Sequence, residues 1–321
     1  MKTYRVGSRA SALAMTQTRT IIAWLKEKRP EAHFEIVEIT THGDRFRDTP
    51  ITQMGNEVER GIFNSALEAA VLAGEVDFAT CSFKDVESDL PHNLTAVTVG
   101  PREDTRDVLV SRLSSGLGAL PQHAVLATSS PRRTSQLTAL RPDLKFEPLR
   151  GNINTRVEER VNDFDGIILA AAGLYRLGLE KHIAEHIPHE VLLPAPAQGA
   201  LGCEYASDRP DVAELIALIT EPQTEMAVRA EKKLLVTLSG GCFAPIGAYA
   251  HTQGDLMHLQ GRVVSLDGNQ RAEAEVSGPW NTQEAIEELV ANVAQQLRDN
   301  GAQPLVDAAR EHLLNIPARK G

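Results

Sequence analysis

AVLATSSPRR, residues 124–133, joins an apolar run to the start of a helix. The run 124–127 predicts a buried strand. Ser130 followed by Pro131 is typical of a helix start, because Ser caps an unpaired backbone N–H and Pro suits the first helical position. Arg132 and Arg133 follow at once. The stretch therefore predicts a junction between strand and helix that carries two guanidinium groups.

Three further strand-like runs, 4–7, 145–149 and 166–172, are also followed by arginines. Alternation of strands with helices favours parallel sheets, whose ligands lie at the carboxyl ends of the strands. A single arginine at a strand end is usually only solvated, but the repetition predicts one cleft lined by guanidinium groups. The arginines concerned are Arg9, Arg150, Arg156 and Arg176, and helices are expected after Ser11, Asn154 and Gly173.

The positive charge is local. The chain has 33 Lys and Arg against 43 Asp and Glu, whereas residues 101–160 have ten against seven, and nine of those ten are Arg. Arg presents a planar fork that matches a carboxylate or phosphate with two hydrogen bonds. The dispersed basic groups favour a polycarboxylate over a phosphate. A pI near 5.5 and 4% aromatic residues argue against nucleic-acid binding.

The chain is expected to be a soluble, cytoplasmic protein that binds no membrane. Its N-terminus leads directly into a predicted strand, and its longest apolar run, 167–174, is far shorter than the ~20 residues that span a bilayer. Cys81, Cys203 and Cys242 are too few and too scattered for a disulfide framework or a zinc site. No metal is predicted.

Prolines and glycines break the chain near residues 100, 196 and 220. We expect an α/β protein with three domains. Lobe 1 comprises residues 1–100 and about 198–219, because the run 200–205 is interpreted as a strand that returns to the first sheet. Lobe 2 comprises residues 101–197. A small α+β domain, with a helix, a hairpin about residues 267–269 and a closing helix, comprises residues 220–321.

Asp85 follows the predicted strand 76–80 and stands next to Lys84. An Asp in such a place is most often a helix cap or a surface charge. In a cleft lined by arginines, however, it is the carboxylate able to stabilise a cation that develops during a reaction. Asp85 is the candidate catalytic group, and pairing with Lys84 is expected to keep it ionised.

Cys242 lies in SGGCFAP, residues 239–245, where two glycines allow the backbone to approach another group closely. A free Cys is by default a small buried hydrophobe, and that interpretation suits Cys81 and Cys203. For Cys242 the glycines favour a reactive or modified thiol, which needs partial exposure or a nearby cation.

Several ordered motifs resemble the hydroxymethylbilane synthase, or porphobilinogen deaminase, family over residues 4 to 315. They are GSRASALA at 7–14, THGD at 41–44, SFKDV at 82–86, REDTRD at 102–107, TSSPRR at 128–133, LRGNINTR at 149–156, AGLYRLG at 172–178 and GGC at 240–242.

The resemblance implies an enzyme that condenses four porphobilinogen molecules head to tail, with release of ammonia, to give hydroxymethylbilane. It implies a dipyrromethane cofactor held by a thioether to Cys242, and Asp85 as the group that stabilises the cationic azafulvene. It also implies two lobes like those of periplasmic binding proteins, the small third domain, and a monomer. The implied positions for binding acetate and propionate groups are Arg9, Ser11, Lys84, Thr128, Ser129, Ser130, Arg132, Arg133, Arg150, Arg156 and Arg176.

One segment departs from the family. Its usual loop has lysines and glycines, but this chain has Gln53, Glu57 and Glu59, with Arg60 as a possible replacement for one lysine. His42 likewise stands where the family often has Arg. Two alternatives follow: a related enzyme of low turnover owing to its altered 53–61 loop, and a non-catalytic two-lobed protein that binds small anions. The third domain with Cys242 has no purpose in the second alternative.

Overall fold

The computed structural model describes residues 2–41, 65–87, 90–113, 116–149, 151–238 and 244–314. Three of the predicted site residues, Arg60, Arg150 and Cys242, lie outside these ranges, and so does the departing 53–61 loop.

Lobe 1 is built on a five-stranded sheet of order β2-β1-β3-β10-β4. Strands β1, β2 and β3 are parallel, and β10 runs antiparallel between β3 and β4, with Leu201 opposite both Ser82 and Val99. The predicted return of the chain to the first sheet is therefore confirmed. The strands are β1 Thr3–Arg9, β2 His33–Ile39, β3 Phe78–Ser82, β4 Leu94–Val99 and β10 Leu201–Ala206; the helices are α1 Ala12–Lys28, α2 Ser65–Leu72 and α5 Pro210–Ala217.

Lobe 2 repeats this topology with the order β7-β6-β8-β5-β9. Strands β6, β7 and β8 are parallel, and β5 runs antiparallel between β8 and β9. The strands are β5 Asp107–Val110, β6 Val125–Ala127, β7 Lys145–Glu147, β8 Gly166–Ala170 and β9 Ile183–Ile187; the helices are α3 Pro131–Leu140 and α4 Ala171–Leu177. Every residue of β8 is buried, as expected of a central strand with helices on both faces.

The third domain packs helices on one antiparallel sheet of order β11-β12-β13. In α7 the buried residues Ile286, Val290, Val293 and Leu297 recur at helical spacing, and Thr282 caps its start by accepting from Ala285 N at 3.1 Å. The elements are α6 Pro222–Thr237, β11 Ile246–Gln253, β12 Leu256–Val264, β13 Arg271–Pro279, α7 Gln283–Asp299 and α8 Ala302–Leu314. The predicted fold class, two doubly wound lobes and a small α+β domain, is confirmed.

Two predicted helix starts are wrong. The segment 153–163 begins one residue before Asn154 and continues as an irregular π and 3₁₀ helix, because Ile153, Val157 and Val161 pack into the lobe 2 core at a spacing of four. Helix α4 begins before Gly173, so this residue lies inside the helix. A Cβ at this position would stand 2.5 Å from Ile153 Cδ1, and the packing between the two segments therefore requires glycine. Strand β9 and helices α5 and α8 were not predicted.

Across the described ranges no helix is long and apolar enough to cross a membrane.

Candidate active site

Strand ends of the two lobes meet around several of the predicted site residues. In lobe 1, β3 ends in a 3₁₀ turn, Phe83–Asp85, that carries the Lys84 and Asp85 side chains. In lobe 2, β6 leads through Thr128–Ser130 into α3 and its two arginines. The buried Gln198, in the crossing segment that precedes β10, bridges them. Its Oε1 accepts from Lys84 Nζ at 3.3 Å and its Nε2 donates to Asp107 Oδ1 at 3.1 Å.

Packing holds the turn with Asp85 in place. Phe83 N donates to Ala200 O at 3.0 Å, and the Phe83 ring is buried against Gly202, where a Cβ would stand 2.2 Å from the ring. Gly202 is therefore needed for close approach. Phe83, the apolar residue immediately before Lys84 and Asp85, therefore fixes the orientation of this turn.

The predicted ion pair between Lys84 and Asp85 is wrong. Within the part of the chain that the structure describes, the Lys84 ammonium donates to Gln198 and nothing donates a hydrogen bond to the Asp85 carboxylate. Neighbouring residues of a helical turn point in different directions, so their side chains do not face each other. The half-buried Asp85 carboxylate is thereby left available for a ligand.

Lys84 carries an ammonium group that is less basic than that of an ordinary lysine. Burial lowers the pKa of its ammonium to about 8; Asp85 opposes this shift, whereas the charges of Arg133 and Arg132 add to it. Near neutral pH most Lys84 side chains are still protonated. A bound carboxylate would stabilise the charged form.

Arg132 and Arg133 both pair with Asp107, the first residue of β5. Arg132 Nη1 lies 2.8 Å from Asp107 Oδ2, and Arg133 donates to Oδ1 through Nε at 3.0 Å and Nη2 at 2.6 Å. Burial alone would raise the pKa of the fully buried Asp107, but the two guanidiniums outweigh it and hold that pKa well below its usual range. Both arginines therefore have an internal counter-ion, which the sequence reasoning did not predict.

The remaining bonds of the two arginines distinguish them further. Arg132 donates through Nη1 to Leu193 O at 2.8 Å and is almost completely buried, whereas Arg133 donates through Nη1 to Ile168 O at 2.9 Å and is about one-tenth exposed. Arg133 is the better placed of the two to reach a ligand.

The three hydroxyls of Thr128–Ser130 have different hydrogen-bond partners. Ser129 donates to Leu149 O at 3.2 Å and accepts from Leu149 N at 3.1 Å, so it joins the ends of β6 and β7. Thr128 accepts from Ser130 N at 3.2 Å, and Ser130 caps α3 by accepting from Arg133 N at 3.5 Å. The predicted cap is confirmed. Among the described residues, Thr128 and Ser130 only accept, so their hydroxyl hydrogens can serve a ligand.

Arg176 brings a half-buried cation to the crossing segment that contains Gln198. Its Nη2 donates to Gly199 O at 2.6 Å, and burial lowers its pKa to about 10, with Glu103 opposing the shift. Arg156 Nε donates to Gly151 O at 2.8 Å. The half-buried Arg9 ends β1, two residues before Ser11, which caps α1 by accepting from Ala14 N at 3.3 Å.

Asp107 and Gln198 are the site residues that sequence reasoning missed. A carboxylate at the start of the apolar strand DVLV is costly to bury unless it is paired, and that cost was a usable signal for nearby cations. Gln198 gave no such signal, since its neighbours come from distant parts of the chain. Arg102, for which no site role was predicted, also contacts this segment: it donates to Gln198 O at 2.9 Å and pairs with the buried Glu231.

Cys81 and Cys203 are buried and unpaired, as predicted. Burial raises the pKa of both thiols, and the charge of Glu204 raises it further, so neither is set up as a nucleophile.

The chemistry of the donor set fits the implied dipyrromethane, whose side chains are carboxylates. Lys84 donates to a neutral amide oxygen and Arg176 to a neutral carbonyl, so both cations have hydrogen-bond partners that carry no negative charge. The lowered pKa of each shows that its surroundings do not fully stabilise the positive charge. A group with several carboxylates supplies that stabilisation.

A family model described as porphobilinogen deaminase, dipyromethane cofactor binding domain, matches residues 4–214. A second, porphobilinogen deaminase, C-terminal domain, matches residues 226–299. A porphobilinogen deaminase from Alkaliphilus metalliredigens is 42% identical over 87% of this chain and 87% of its own length. One from Desulfitobacterium hafniense is 40% identical over 98% of this chain and 99% of its own length.

Among solved structures, a nutrient binding protein from Burkholderia cenocepacia bound to methionine has a TM-score of 0.42 and 14% identity, over 67% of this chain and 90% of that chain. Similarity at that level supports no conclusion about function.

Proposed function

Because the chain belongs to the porphobilinogen deaminase family, we propose that Asp85 is its catalytic residue and Cys242 its point of cofactor attachment. The activity itself follows from the family. The enzyme is a transferase that condenses four porphobilinogen molecules head to tail, releasing ammonia at each step, to give linear hydroxymethylbilane in tetrapyrrole biosynthesis. The non-catalytic binding protein weighed from sequence is thereby excluded.

The cofactor is a dipyrromethane. When bound, it supplies the primer to which substrate units are added. We assign its retention to the Cys242 sulfur and to the basic groups around Asp85. Lys84, Arg133 and Arg176 support this assignment, because their positive charge complements acetate and propionate groups. The same assignment covers Arg9, Ser11, Thr128, Ser130, Arg132, Arg150 and Arg156, whereas Ser129, whose hydroxyl bonds to Leu149, is assigned a structural role.

Asp85 acts on the substrate. Loss of ammonia from porphobilinogen leaves a cationic azafulvene, and a fixed carboxylate stabilises the developing charge more effectively than water does. The observation that carries the proposal is that the Asp85 carboxylate receives no hydrogen bond from the described residues, while the other aspartate near it, Asp107, forms ion pairs with two arginines. Lys84 binds a substrate carboxylate beside it.

We propose the domain division 1–100 with 198–219, 101–197 and 220–321. Support comes from the alternation of sheets along the chain, from lobe 1 to lobe 2, back to lobe 1 through β10, and then to the third sheet. We further propose a cytoplasmic monomer, supported by the resemblance to the family. Light scattering coupled to gel filtration tests the monomer, and cell fractionation tests the location.

Intact-protein mass spectrometry tests the cofactor assignment. In a host that makes porphobilinogen, we expect the wild-type chain to carry a mass excess of two linked pyrrole units, Cys242→Ser to lack it, and the buried-thiol control Cys81→Ser to retain it. A wild-type chain without the excess, or a Cys242→Ser chain that keeps it, contradicts the assignment.

A further inference from the structure

Helix α6 lies against the turn that carries Asp85. Val228 packs in one buried cluster with Phe83 and Val86, and Lys232, one helical turn further along, donates from Nζ to Val86 O. Residues four apart share one face of a helix, so an apolar contact and a charged hydrogen bond act together on the residues that flank Asp85.

The same helix is fastened to the rest of the molecule at two other places. The fully buried Glu231 accepts from Ala197 N at 2.6 Å and from Ala250 N at 2.7 Å, and it pairs with Arg102. Near its start, Glu225 accepts from Thr98 N at 2.8 Å and from Thr98 Oγ1 at 2.7 Å. These bonds hold α6 in place relative to the rest of the molecule, and the turn that carries Asp85 packs against it.

Helix α6 ends at Thr237, five residues before the proposed anchor Cys242 in the sequence. The helix that contacts the residues beside Asp85 is therefore the element that precedes the anchor along the chain.

We propose that Lys232 is a positioning residue of the reaction: its hydrogen bond to the Val86 carbonyl holds Asp85 in register with the helix that leads to Cys242. The inference rests on the proposed roles of Asp85 and Cys242. The Lys232 ammonium forms a charge-assisted bond, stronger than a neutral one, to the backbone one residue beyond the catalytic carboxylate, and it acts on the reaction through that bond.

The test compares Lys232→Met, which keeps the side-chain length but removes the donor, with Lys232→Arg, which keeps a donor. The exposed neighbour Lys233→Met is the matched control. The holoenzymes are compared by cofactor mass, thermal midpoint, and kcat and KM for porphobilinogen. A misplacement of a catalytic group by about 1 Å can cost ~100-fold, so a partial shift in Lys232→Met is expected to lower kcat about tenfold.

For a positioning role, Lys232→Met retains the full cofactor mass, a KM within about twofold of wild type and a thermal midpoint close to that of Lys233→Met, and Lys232→Arg recovers most of kcat. The proposal is overturned if Lys232→Met and Lys233→Met have equal kcat. It is equally overturned if Lys232→Met lacks the cofactor, or if its loss of kcat is matched by Lys232→Arg.

Asp85→Asn is assayed in parallel. If Asp85→Asn remains fully active, the proposed role of Asp85 fails and the positioning role fails with it. If Asp85→Asn is inactive while Lys232→Met is fully active, only the positioning role fails.

Discussion

Lobe 1 and lobe 2 share one topology but use their cleft carboxylates in opposite ways. In the sheet of each lobe the fourth strand in spatial order runs antiparallel to the third: β10 beside β3 in lobe 1, and β5 beside β8 in lobe 2. Lobe 2 begins that strand with Asp107, which is buried and paired with two arginines. Lobe 1 presents Asp85 on a turn, half-buried and without a hydrogen-bond donor among the described residues. The comparison teaches that carboxylates near strand ends of similar sheets can differ: Asp107 is held by internal ion pairs, and Asp85 is the one proposed to react.

The largest expected effect comes from removing the charge of the lobe 1 carboxylate. Asp85→Asn should keep the fold and lower kcat for ammonia release by about a thousandfold, because the amide cannot stabilise the developing cation. Steady-state assays check this, with the exposed Asp163→Asn as a matched control. Activity of Asp85→Asn within a few-fold of the control would remove Asp85 from the mechanism.

The corresponding change in lobe 2 should act on stability. Asp107→Asn leaves two buried guanidiniums without their counter-ion, and we expect it to lower the free energy of unfolding by about 3–5 kcal/mol. Urea unfolding measures this loss. Asp104→Asn, which breaks a more exposed pair with Arg106, should cost about 1 kcal/mol or less. Equal losses in the two variants would show that Asp107 is not the structural carboxylate.

A third prediction concerns the pH dependence of Lys84. Its pKa of about 8 means that the ammonium is charged below that pH and neutral above it. The KM for porphobilinogen should therefore rise above pH 8, by up to about tenfold per pH unit, and stay flat just below it. Lys84→Arg should remove the rise, since a guanidinium stays charged. An unchanged profile in Lys84→Arg would assign the titration to another group.

The hydroxyls of lobe 2 give a smaller effect. Ser129→Ala should lower the free energy of unfolding by about 1–2 kcal/mol and leave KM unchanged, because both of its hydrogen bonds go to Leu149. Thr128→Val should instead raise KM several-fold. A rise in KM for Ser129→Ala would show that this hydroxyl binds a ligand as well.

The smallest expected effect concerns Arg60, which lies outside the described residues. The sequence alone predicts that Arg60 replaces a family lysine, so Arg60→Ala should lower kcat/KM by only a few-fold. Equal substrate consumption by Arg60→Ala and wild type would contradict that replacement.

Local sequence predicted most of the fold because strand and helix periods and caps are local properties. Ser130 with Pro131 was found in this way. The start at Ile153 and the inclusion of Gly173 in α4 were not, since both depend on packing between segments. Strand β9 lacked a clear pattern because its residues are mostly half-buried at the sheet edge.

Candidate site residues could be predicted where one residue type at a strand end carried the signal, as with the arginines and Asp85, and their roles stay predictions. The site was not predictable where the partner was remote. The Lys84 ammonium donates to Gln198, 114 residues away, rather than to its neighbour Asp85. Arg132 and Arg133 were predicted as ligand donors, and their pairing with Asp107 depends on the tertiary approach of the first residues of α3 to the first residue of β5.

By itself, the sequence determined the chemistry: cations at the ends of strands, one carboxylate on a turn, and a cysteine in a glycine-rich segment. Only the tertiary structure decided which charges are already neutralised. The strength of a charge in a cleft depends on burial and on the nearest opposite charge, and both are set by residues far apart in the chain. Asp85 and Asp107 are both aspartates beside apolar strands, and they differ in the folded protein because two guanidiniums reach one of them.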